Sequence, residues 1–368
     1  MSRIKWTASA VLAFAVSVLL AACGGGDNKT TTTSGGGGST SGKAATIGLL
    51  LPETKTARYE AHDKPVFQAK VKELCPDCKQ LYQNASQDPQ KQQSQAEAML
   101  ASGANVLVLD AVDVSSVGPI IKEAQQKKVP VIAYDRLISD QKIAYYVSFD
   151  NVRQGRIQAK SLVDKLGGRK PIVMINGAPT DPSAGDYKKG AHQVFDKAVD
   201  IKKEYDTPDW SPDKAQREME QAITALGKSG FAGVYSANDG MASGAIAAMK
   251  GAGIDPKTRP ITGGDAELAA IQRIVSGEQY STIYLTINKQ AEASAELAVA
   301  LAKHKQPPAG LVNAKTDNGA MQVPSVLLTP VAVTKDNIKD TVVKDGFYKV
   351  SDICTGKYAA GCKAIGLS

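Results

Sequence analysis

Val131-Ile132-Ala133-Tyr134-Asp135-Arg136 is a short apolar run that ends in an acid and a base. Four consecutive apolar residues without polar alternation are typical of a strand that is buried on both faces of a sheet. Similar runs recur along the chain and alternate with longer amphipathic stretches rich in Ala and Lys. This alternation predicts an α/β fold, with parallel sheets covered by helices on both faces.

The other predicted elements follow from the same two patterns. At 368 residues and 43% hydrophobic content, the chain has enough apolar material for two cores, so we expect two domains. The predicted strands are Ala45–Leu51, Gln80–Gln83, Asn105–Asp110, Pro130–Tyr134, Tyr146–Phe149, Ile172–Asn176, Ile201–Tyr205, Gly233–Ser236, Pro260–Gly263 and Thr282–Leu285. The predicted helices include Gln90–Ala101, Val117–Lys127, Arg153–Leu166, Asp213–Gly227 and Met241–Lys250.

Polar residues follow several predicted strands at their carboxyl ends, where open parallel sheets bind their ligands. Asp135 and Arg136 follow one strand, Asn238 follows another and Asp265 follows a third. Hydroxyl groups both donate and accept hydrogen bonds, so carboxylates, amides and guanidinium groups together suit a sugar. We interpret these four residues as candidate sugar ligands.

Helix capping is the competing interpretation, because Asp and Asn are also preferred at the start of a helix. Asp150 and Asp239 are predicted to act only as caps. For Asp135 the capping role stays open, with Arg136 as its solvated neighbour.

Aromatic residues make up only 5% of the chain, so an aromatic side chain in a polar loop is informative. Tyr59 follows Arg58 just beyond the first predicted strand, and Trp210 lies in a polar loop before a predicted helix. Such rings can stack on the apolar C–H face of a sugar. A hydrophobic staple at the helix start is an equally good role for Trp210, and both roles can hold together.

The N-terminus has the features of a secretion signal. Two basic residues precede an apolar run from Ala8 to Ala22, which predicts a signal peptide over residues 1–22. The run ends in Leu20-Ala21-Ala22-Cys23, which resembles the lipobox of bacterial lipoproteins, in which the cysteine is acylated. Residues 23–43 are mostly Gly, Ser and Thr and predict a flexible tether. We therefore expect a secreted protein that is lipid-anchored to the outer face of the cell membrane.

Four cysteines remain when Cys23 is assigned to lipidation, and an even number in an exported chain indicates disulfides. They form two close pairs, Cys75 with Cys78 and Cys354 with Cys362. A redox or zinc motif is the alternative for the first pair. A redox motif should open a helix rather than follow one, and the three histidines show no metal-binding spacing. We predict two local disulfides and no metal site.

Several long motifs resemble the periplasmic pentose-binding family of ABC importers, and most closely its D-xylose-binding branch. The resemblance extends from about Ala45 to Lys349 and leaves the tail with Cys354 and Cys362 outside. The motifs are Val131–Asp140, Tyr146–Asn151, Ser236–Asp239, Gly244–Ile246, Asp265–Ile274, Val323–Pro330 and Asn337–Gly346.

The resemblance implies two similar doubly wound lobes, joined by three crossings near Asp150, Leu285 and Ser325, with a sugar in the cleft between them. Lobe I would comprise residues 44–150 and 286–325, and lobe II residues 151–285 and 326–368. The sugar ligands would be Arg58, Tyr59, Asp135, Arg136, Ser183, Trp210, Asn238 and Asp265. The implied partners are a monosaccharide and a membrane ABC permease, and we expect a monomer without a cofactor.

Two positions depart from the xylose-binding pattern. Ser183 stands where the family has an amide that contacts sugar, and Leu285 stands where it has a lysine. Losing two hydrogen-bonding groups changes which hydroxyls a site can pair, so the pocket can prefer a sugar other than xylose.

Other classes of protein fit the sequence less well. The formal net charge is +7, but the lysines are spread among glutamates and form no stripe with aromatic residues, which disfavours a nucleic-acid partner. Sugar-operon repressors share the two-lobed core, but the lipobox and tether occupy the place of their helix-turn-helix. No G-x-G-x-x-G follows the first strand and no nucleophile–base pair is evident, so we expect a binding protein and not an enzyme. A sensor that passes its signal to a receptor instead of a permease remains open.

Overall fold

The computed structural model of the chain describes residues 44–367. The predicted signal peptide (residues 1–22), the lipidation site Cys23 and the tether (residues 23–43) lie outside these residues. From Ala44 onward the chain forms one compact unit. Within the described residues, no helix is both long and apolar enough to cross a membrane.

The strands form one large sheet and two small ones. The large sheet has the order β10-β11-β5-β4-β3-β1-β2, the second has the order β7-β6-β8, and β12 pairs with β9. The strands are β1 (Thr46–Leu51), β2 (Lys79–Asn84), β3 (Val106–Leu109), β4 (Val131–Tyr134), β5 (Tyr145–Phe149), β6 (Pro171–Asn176), β7 (Asp200–Asp206), β8 (Gly233–Ser236), β9 (Thr282–Tyr284), β10 (Ala314–Asp317), β11 (Gln322–Leu328) and β12 (Val331–Val333).

Helices separate most of the parallel strands in the chain, as the alternating pattern predicts. A short π-helical segment, Tyr59–Asp63, leads directly into the first helix. The helices are α1 (Lys64–Leu74), α2 (Pro89–Ala101), α3 (Gly118–Gln126), α4 (Asn151–Leu166), α5 (Pro182–Ala198), α6 (Pro212–Leu226), α7 (Asp239–Gly251), α8 (Leu268–Ser276), α9 (Ile287–Ala302), α10 (Val350–Ile353) and α11 (Ala359–Ala364).

Both faces of the large sheet are buried, because successive residues of a strand point to opposite faces. Val106 and Val108 pack on one face with α1 and α9. Leu107 and Leu109 pack on the other face with α2 and α3. This burial on both sides explains why the strands consist of apolar residues without alternation. We call this sheet with its helices the large-sheet region.

A separate core surrounds β6, β7 and β8 and includes apolar residues of α4, α5, α6 and α7. The helices approach closely where glycine removes a side chain: a Cβ at Gly155 would lie 1.9 Å from the Tyr187 carbonyl oxygen of α5. Another apolar cluster joins α8, β9 and β12 to the C-terminal tail. We call these elements together the small-sheet region.

The cysteines of the described residues form two bonds, Cys75–Cys78 and Cys354–Cys362. The second bond closes the tail, where Ile353 and Cys362 are buried in the cluster around α8. The tail therefore belongs to the small-sheet region.

The chain passes between the two regions at three places. It leaves β5 at Asp150, whose side chain caps α4 by accepting a hydrogen bond from the Arg153 amide. It returns at Leu285-Thr286, between β9 and α9. It leaves again at Thr329-Pro330, because β11 stays paired with β5 as far as Leu328, beyond the expected crossing near Ser325.

Two features differ from the sequence-based prediction. The sheets are not wholly parallel, since β10 pairs antiparallel with β11 and β12 pairs antiparallel with β9. The predicted strand Pro260–Gly263 is wrong, because this segment makes only the isolated bridges Val234–Ile261 and Thr262–Ser281. Its first residue, a proline, has no amide hydrogen, and Gly263 and Gly264 weaken a strand.

Candidate functional site

A polar cavity lies where the carboxyl ends of strands from both regions meet. Its empty volume, including the opening, is about 350 Å³. This is the edge at which parallel sheets place their ligands. The large-sheet region contributes Thr56, Arg58, Tyr59, Asp135 and Arg136, and the small-sheet region contributes Asp181, Tyr187, Trp210, Ala237, Asn238 and Asp265.

A buried network fixes the side of the cavity that the large-sheet region provides. Arg58 donates to both carboxylate oxygens of Asp63 at 2.9 Å and to Asp135 Oδ1 at 2.9 Å. Gln290 of α9 accepts from Arg58 and donates to Asp135 Oδ1 at 3.1 Å. Tyr59 donates to the other oxygen of Asp135 at 3.4 Å. Each charge therefore has partners before any ligand binds.

Arg136 links the two sides of the cavity. Its exposed fraction is 1%, and its Nη1 donates to the carbonyl oxygens of Ala111 and Val112. Its Nε lies 3.0 Å from Asp181 and 3.4 Å from Asp110. Burial raises the pKa of Asp110 and of Asp181, and the charge of Arg136 opposes both shifts. The alternative interpretation, a solvated Arg136 beside a helix cap, is therefore wrong.

Trp210 is held in the wall by a hydrogen bond and by a close backbone approach. Its Nε1 donates to Asp181 Oδ2 at 3.2 Å, and its ring packs edge-on against Tyr187. A Cβ at Gly177 would lie 2.0 Å from the indole Cη2, so only glycine fits beneath this ring. The same ring belongs to the apolar core beside α6, so it both packs at the helix start and lines the cavity.

Asp135 and Asp265 both have left-handed backbone conformations, with φ of +63° and +86°. Non-glycine residues adopt this region at a cost, and such strain tends to collect at functional sites. Asp265 accepts no hydrogen bond from any side chain or amide of residues 44–367. Burial raises the pKa of its carboxyl, and Arg58 opposes the shift. No helix begins at Asp135, so the capping role considered for it is wrong.

Asn238 caps α7, because its Oδ1 accepts a hydrogen bond from the Met241 amide at 2.9 Å. Its backbone is extended, as capping requires, whereas Asp239 is already the first helical residue. The prediction that Asp239 acts as a cap is therefore wrong. Asp239 is buried behind the cavity and accepts hydrogen bonds from Gln279 and Thr282.

The two departures from the xylose-binding pattern lie outside the lining of the cavity. Ser183 is buried just behind it, where its hydroxyl accepts from Asn151 Nδ2 at 3.2 Å and lies 3.5 Å from the Asp135 carbonyl oxygen. Leu285 is buried in the apolar cluster around α8. Neither position offers a polar group to the space between the two regions.

Sequence reasoning missed three lining residues with polar side chains, Thr56, Asp181 and Tyr187. Asp181 precedes Pro182 and caps α5, so its sequence context matches the ordinary helix start Asp88-Pro89. A cap residue after a strand was nevertheless the signal that led to Asn238. Among the described residues, no group of three His, Cys, Asp or Glu side chains is arranged to hold a metal ion.

The cavity between two α/β regions is the arrangement of a binding protein, and the family comparison agrees. Residues 47–306 match the model of the periplasmic binding protein domain. The chain belongs to this family and has its type I fold. It is a binding protein and not an enzyme.

The chain is 37% identical to the D-xylose-binding periplasmic protein of Escherichia coli K12 over 84% of this chain and 93% of the relative. It is 33% identical to the multiple sugar-binding periplasmic receptor ChvE of Rhizobium radiobacter over 84% of this chain and 92% of the relative. A similar solved structure is the carbohydrate transporter solute-binding protein of Chloroflexus aurantiacus in complex with D-glucose. It has a TM-score of 0.75 and 26% identity, over 83% of this chain and 97% of that one.

Proposed function

We propose that this protein binds a monosaccharide in the cavity and delivers it to a membrane ABC permease as the extracytoplasmic subunit of an importer. The observation that carries the proposal is the convergence of charged and amide side chains from both regions on one space beside Tyr59 and Trp210. Sugar hydroxyls pair with such groups, and sugar C–H faces pack on aromatic rings.

The proposed ligands are the residues expected from sequence, with the exception of Ser183, together with Asp181. Asp265 has free acceptor capacity, and Asn238 retains its amide nitrogen for a ligand because the side-chain oxygen caps α7. Ser183 supports the pocket from behind by contacting Asn151. These donors and acceptors can pair with the hydroxyl groups of a pentose or a related sugar.

The relatives named above bind D-xylose, multiple sugars or D-glucose according to their names, which supports a monosaccharide but leaves its identity wide. Because Ser183 and Leu285 depart from the xylose-binding pattern, the proposed ligand class also includes sugars other than xylose. A xylose-like pentose or a related hexose is therefore the proposed ligand class.

We further propose that the large-sheet and small-sheet regions act as two lobes that close over the sugar. The three chain crossings form the hinge, and ligand biases the equilibrium by binding both walls only when they are close. Anchoring through an acylated Cys23 would keep this monomer at the membrane beside its permease. A sensor role is the second candidate, because one relative is named a receptor.

Isothermal calorimetry of residues 44–368 against xylose, ribose, arabinose, galactose, glucose and inositol tests the proposal. We expect one sugar to bind with a micromolar or lower Kd, which corresponds to about 8 kcal/mol or more. Absence of heat with every sugar, at protein concentrations well above that Kd, would refute sugar binding. Transport assays with the permease encoded nearby then separate import from sensing.

A further inference from the structure

A second cavity, whose empty volume including the opening is about 920 Å³, lies at the opposite end of the small-sheet region. Arg259 and Pro260 come just before Ile261 and Thr262, which make parallel bridges to Val234 of β8 and to Ser281. Asp265 comes after these bridges, and Asn238 follows the carboxyl end of β8. The two cavities are therefore at opposite ends of the same strands. Nothing in the proposed sugar site uses this second cavity, which we call the basic pocket.

Four cations from separate segments of the chain line the basic pocket. Lys165 is at the end of α4, Lys257 and Arg259 follow α7, and Lys335 follows β12. Asp336 is the one acidic residue in the lining. Bringing like charges together costs free energy unless counter-charge is present.

The four cations of the basic pocket form no ion pair with another described residue. Within residues 44–367, none of these four side chains has a carboxylate oxygen within 4.0 Å. Lys250, which lies outside the lining, is in contrast paired with Glu278 at 2.7 Å. Arg259 donates from Nη1 to the Thr258 carbonyl oxygen, but its buried Nε has no acceptor among the described residues. The Nε–H of Arg259 is therefore available to donate a hydrogen bond to a ligand.

Helix capping does not account for these cations. Lysine near a helix C-terminus is stabilising because the last carbonyl groups carry partial negative charge. Here, however, backbone amides already satisfy such carbonyls: Gly167 donates to Val163 at the end of α4, and Gly277 donates to Ile274 at the end of α8. Glycine at both ends provides the ordinary helix termination without a charged side chain.

The geometry also directs the cations toward one space. Lys165 Nζ lies 5.4 Å from the centre of the Tyr280 ring, which forms part of the lining. A Cβ at Gly277 would lie 3.3 Å from Lys335 Nζ and 4.0 Å from Lys257 Cγ, so both lysines flank this glycine. The backbone of Gly277 therefore leaves open the space that a side chain would fill.

We propose that the basic pocket binds a phosphate group. Lysine and arginine are the side chains that recognise phosphate, and several cations facing one carboxylate match a ligand with more than one negative charge. The phosphate can come from free inorganic phosphate or from the headgroup of an anionic lipid.

The test compares residues 44–368 with two double variants of equal charge change, Lys257→Gln/Lys335→Gln in the pocket and Lys91→Gln/Lys315→Gln on the large-sheet region. Calorimetry at low ionic strength with sodium phosphate should give saturable binding to the unmodified protein. The pocket variant should bind at least about tenfold more weakly, and the control variant within about twofold of the unmodified protein. Thermal melting and sugar binding check that each variant is folded.

Sedimentation with vesicles of phosphatidylcholine, with and without phosphatidylglycerol, distinguishes the sources of phosphate. Saturable phosphate binding without vesicle binding identifies free phosphate as the ligand. Vesicle binding that requires both phosphatidylglycerol and the two pocket lysines identifies a lipid headgroup. Failure to bind either probe, or equal weakening in both double variants, overturns the proposal. None of these outcomes depends on whether a sugar binds in the other cavity.

Discussion

Asp135 and Asp265 occupy comparable places on opposite sides of the cavity but have different surroundings. Each follows a segment of sheet, and each has a left-handed backbone. Asp135 contacts Arg58, Tyr59 and Gln290, whereas Asp265 accepts no hydrogen bond from another described residue. One side of the cavity is therefore assembled in advance, and the other keeps an acceptor free.

This difference indicates that the two sides of the cavity contribute to sugar binding in different ways. A rigid network holds ligand-binding atoms in place, which lowers the entropy lost when a sugar binds. The partly buried carboxylate of Asp265 faces the cavity and can accept hydrogen bonds from the hydroxyl donors of a ligand. The small-sheet region would then gain more from the ligand than the large-sheet region does.

Replacing Asp135 with alanine should have the largest effect on sugar affinity. The substitution removes a charged acceptor at the centre of the network, and losing one member of a buried, hydrogen-bonded charge pair costs about 2–5 kcal/mol of binding. Arg58 keeps Asp63 and Gln290 as partners, so the protein should still fold. We expect calorimetry to show at least about a thirtyfold loss of affinity, or no measurable heat.

Asp88→Ala is the matched control, because Asp88 is exposed and caps α2, away from the cavity and from the three chain crossings. It should lower the free energy of unfolding by about 1 kcal/mol and leave the sugar affinity unchanged. If Asp135→Ala binds sugar as tightly as the unmodified protein, Asp135 is not a sugar ligand, and the proposed difference between Asp135 and Asp265 does not hold.

Gly177→Ala should have an intermediate effect, because the new methyl group would overlap the Trp210 ring. Overpacking of this kind costs about 1–3 kcal/mol of stability, and the displaced ring can no longer contact a sugar in the same position. We expect the sugar affinity to fall about tenfold and the melting temperature to decrease.

Gly185→Ala provides the control on the exposed side of α5. No atom lies within 4 Å of its added Cβ, and alanine is favoured over glycine inside a helix. Affinity should stay constant while stability is equal or higher. If Gly177→Ala binds sugar as tightly as Gly185→Ala, Trp210 does not contact the ligand.

The sequence was sufficient to predict those parts of the fold and site that depend on local pattern. Apolar runs such as Val131–Tyr134 identified the buried strands, and the residues just after them identified Asp135, Asn238 and Asp265 as lining residues. Asp181 was missed because a cap residue before proline is indistinguishable from an ordinary helix start.

Features that depend on pairing over long distances could not be predicted from local pattern. The antiparallel strand β10 reads Ala-Lys-Thr-Asp and is only partly buried, so it lacks an apolar run. The partner strand β11 contains Pro324, which disfavours a strand assignment. The hydrogen bonds of Asp135 likewise depend on Arg58 and Gln290, which are distant in sequence.

The smallest effect is expected from Asp265→Asn. This substitution should raise the stability of the ligand-free protein, whereas Asp135→Asn should lower it. Burial raises the pKa of Asp265 in the folded protein, so the folded state binds this proton more tightly than the unfolded state. Stability from this group is therefore present below pH 3.8, the ordinary value, and is lost as the pH rises through the folded-state pKa. Asparagine keeps the shape and removes the charge, so it should raise the free energy of unfolding at pH 7 by about 1 kcal/mol.

Urea unfolding of the ligand-free protein between pH 4 and pH 8 measures this effect. The free energy of unfolding of the unmodified protein should decrease as the pH rises, and this decrease should be smaller in Asp265→Asn. At pH 7, Asp135→Asn should be less stable than the unmodified protein. The contrary result has two parts: Asp265→Asn has the same pH profile as the unmodified protein, and it loses as much stability as Asp135→Asn. Both aspartates would then have hydrogen-bond partners before a ligand binds. The two sides of the cavity would then be equally preassembled.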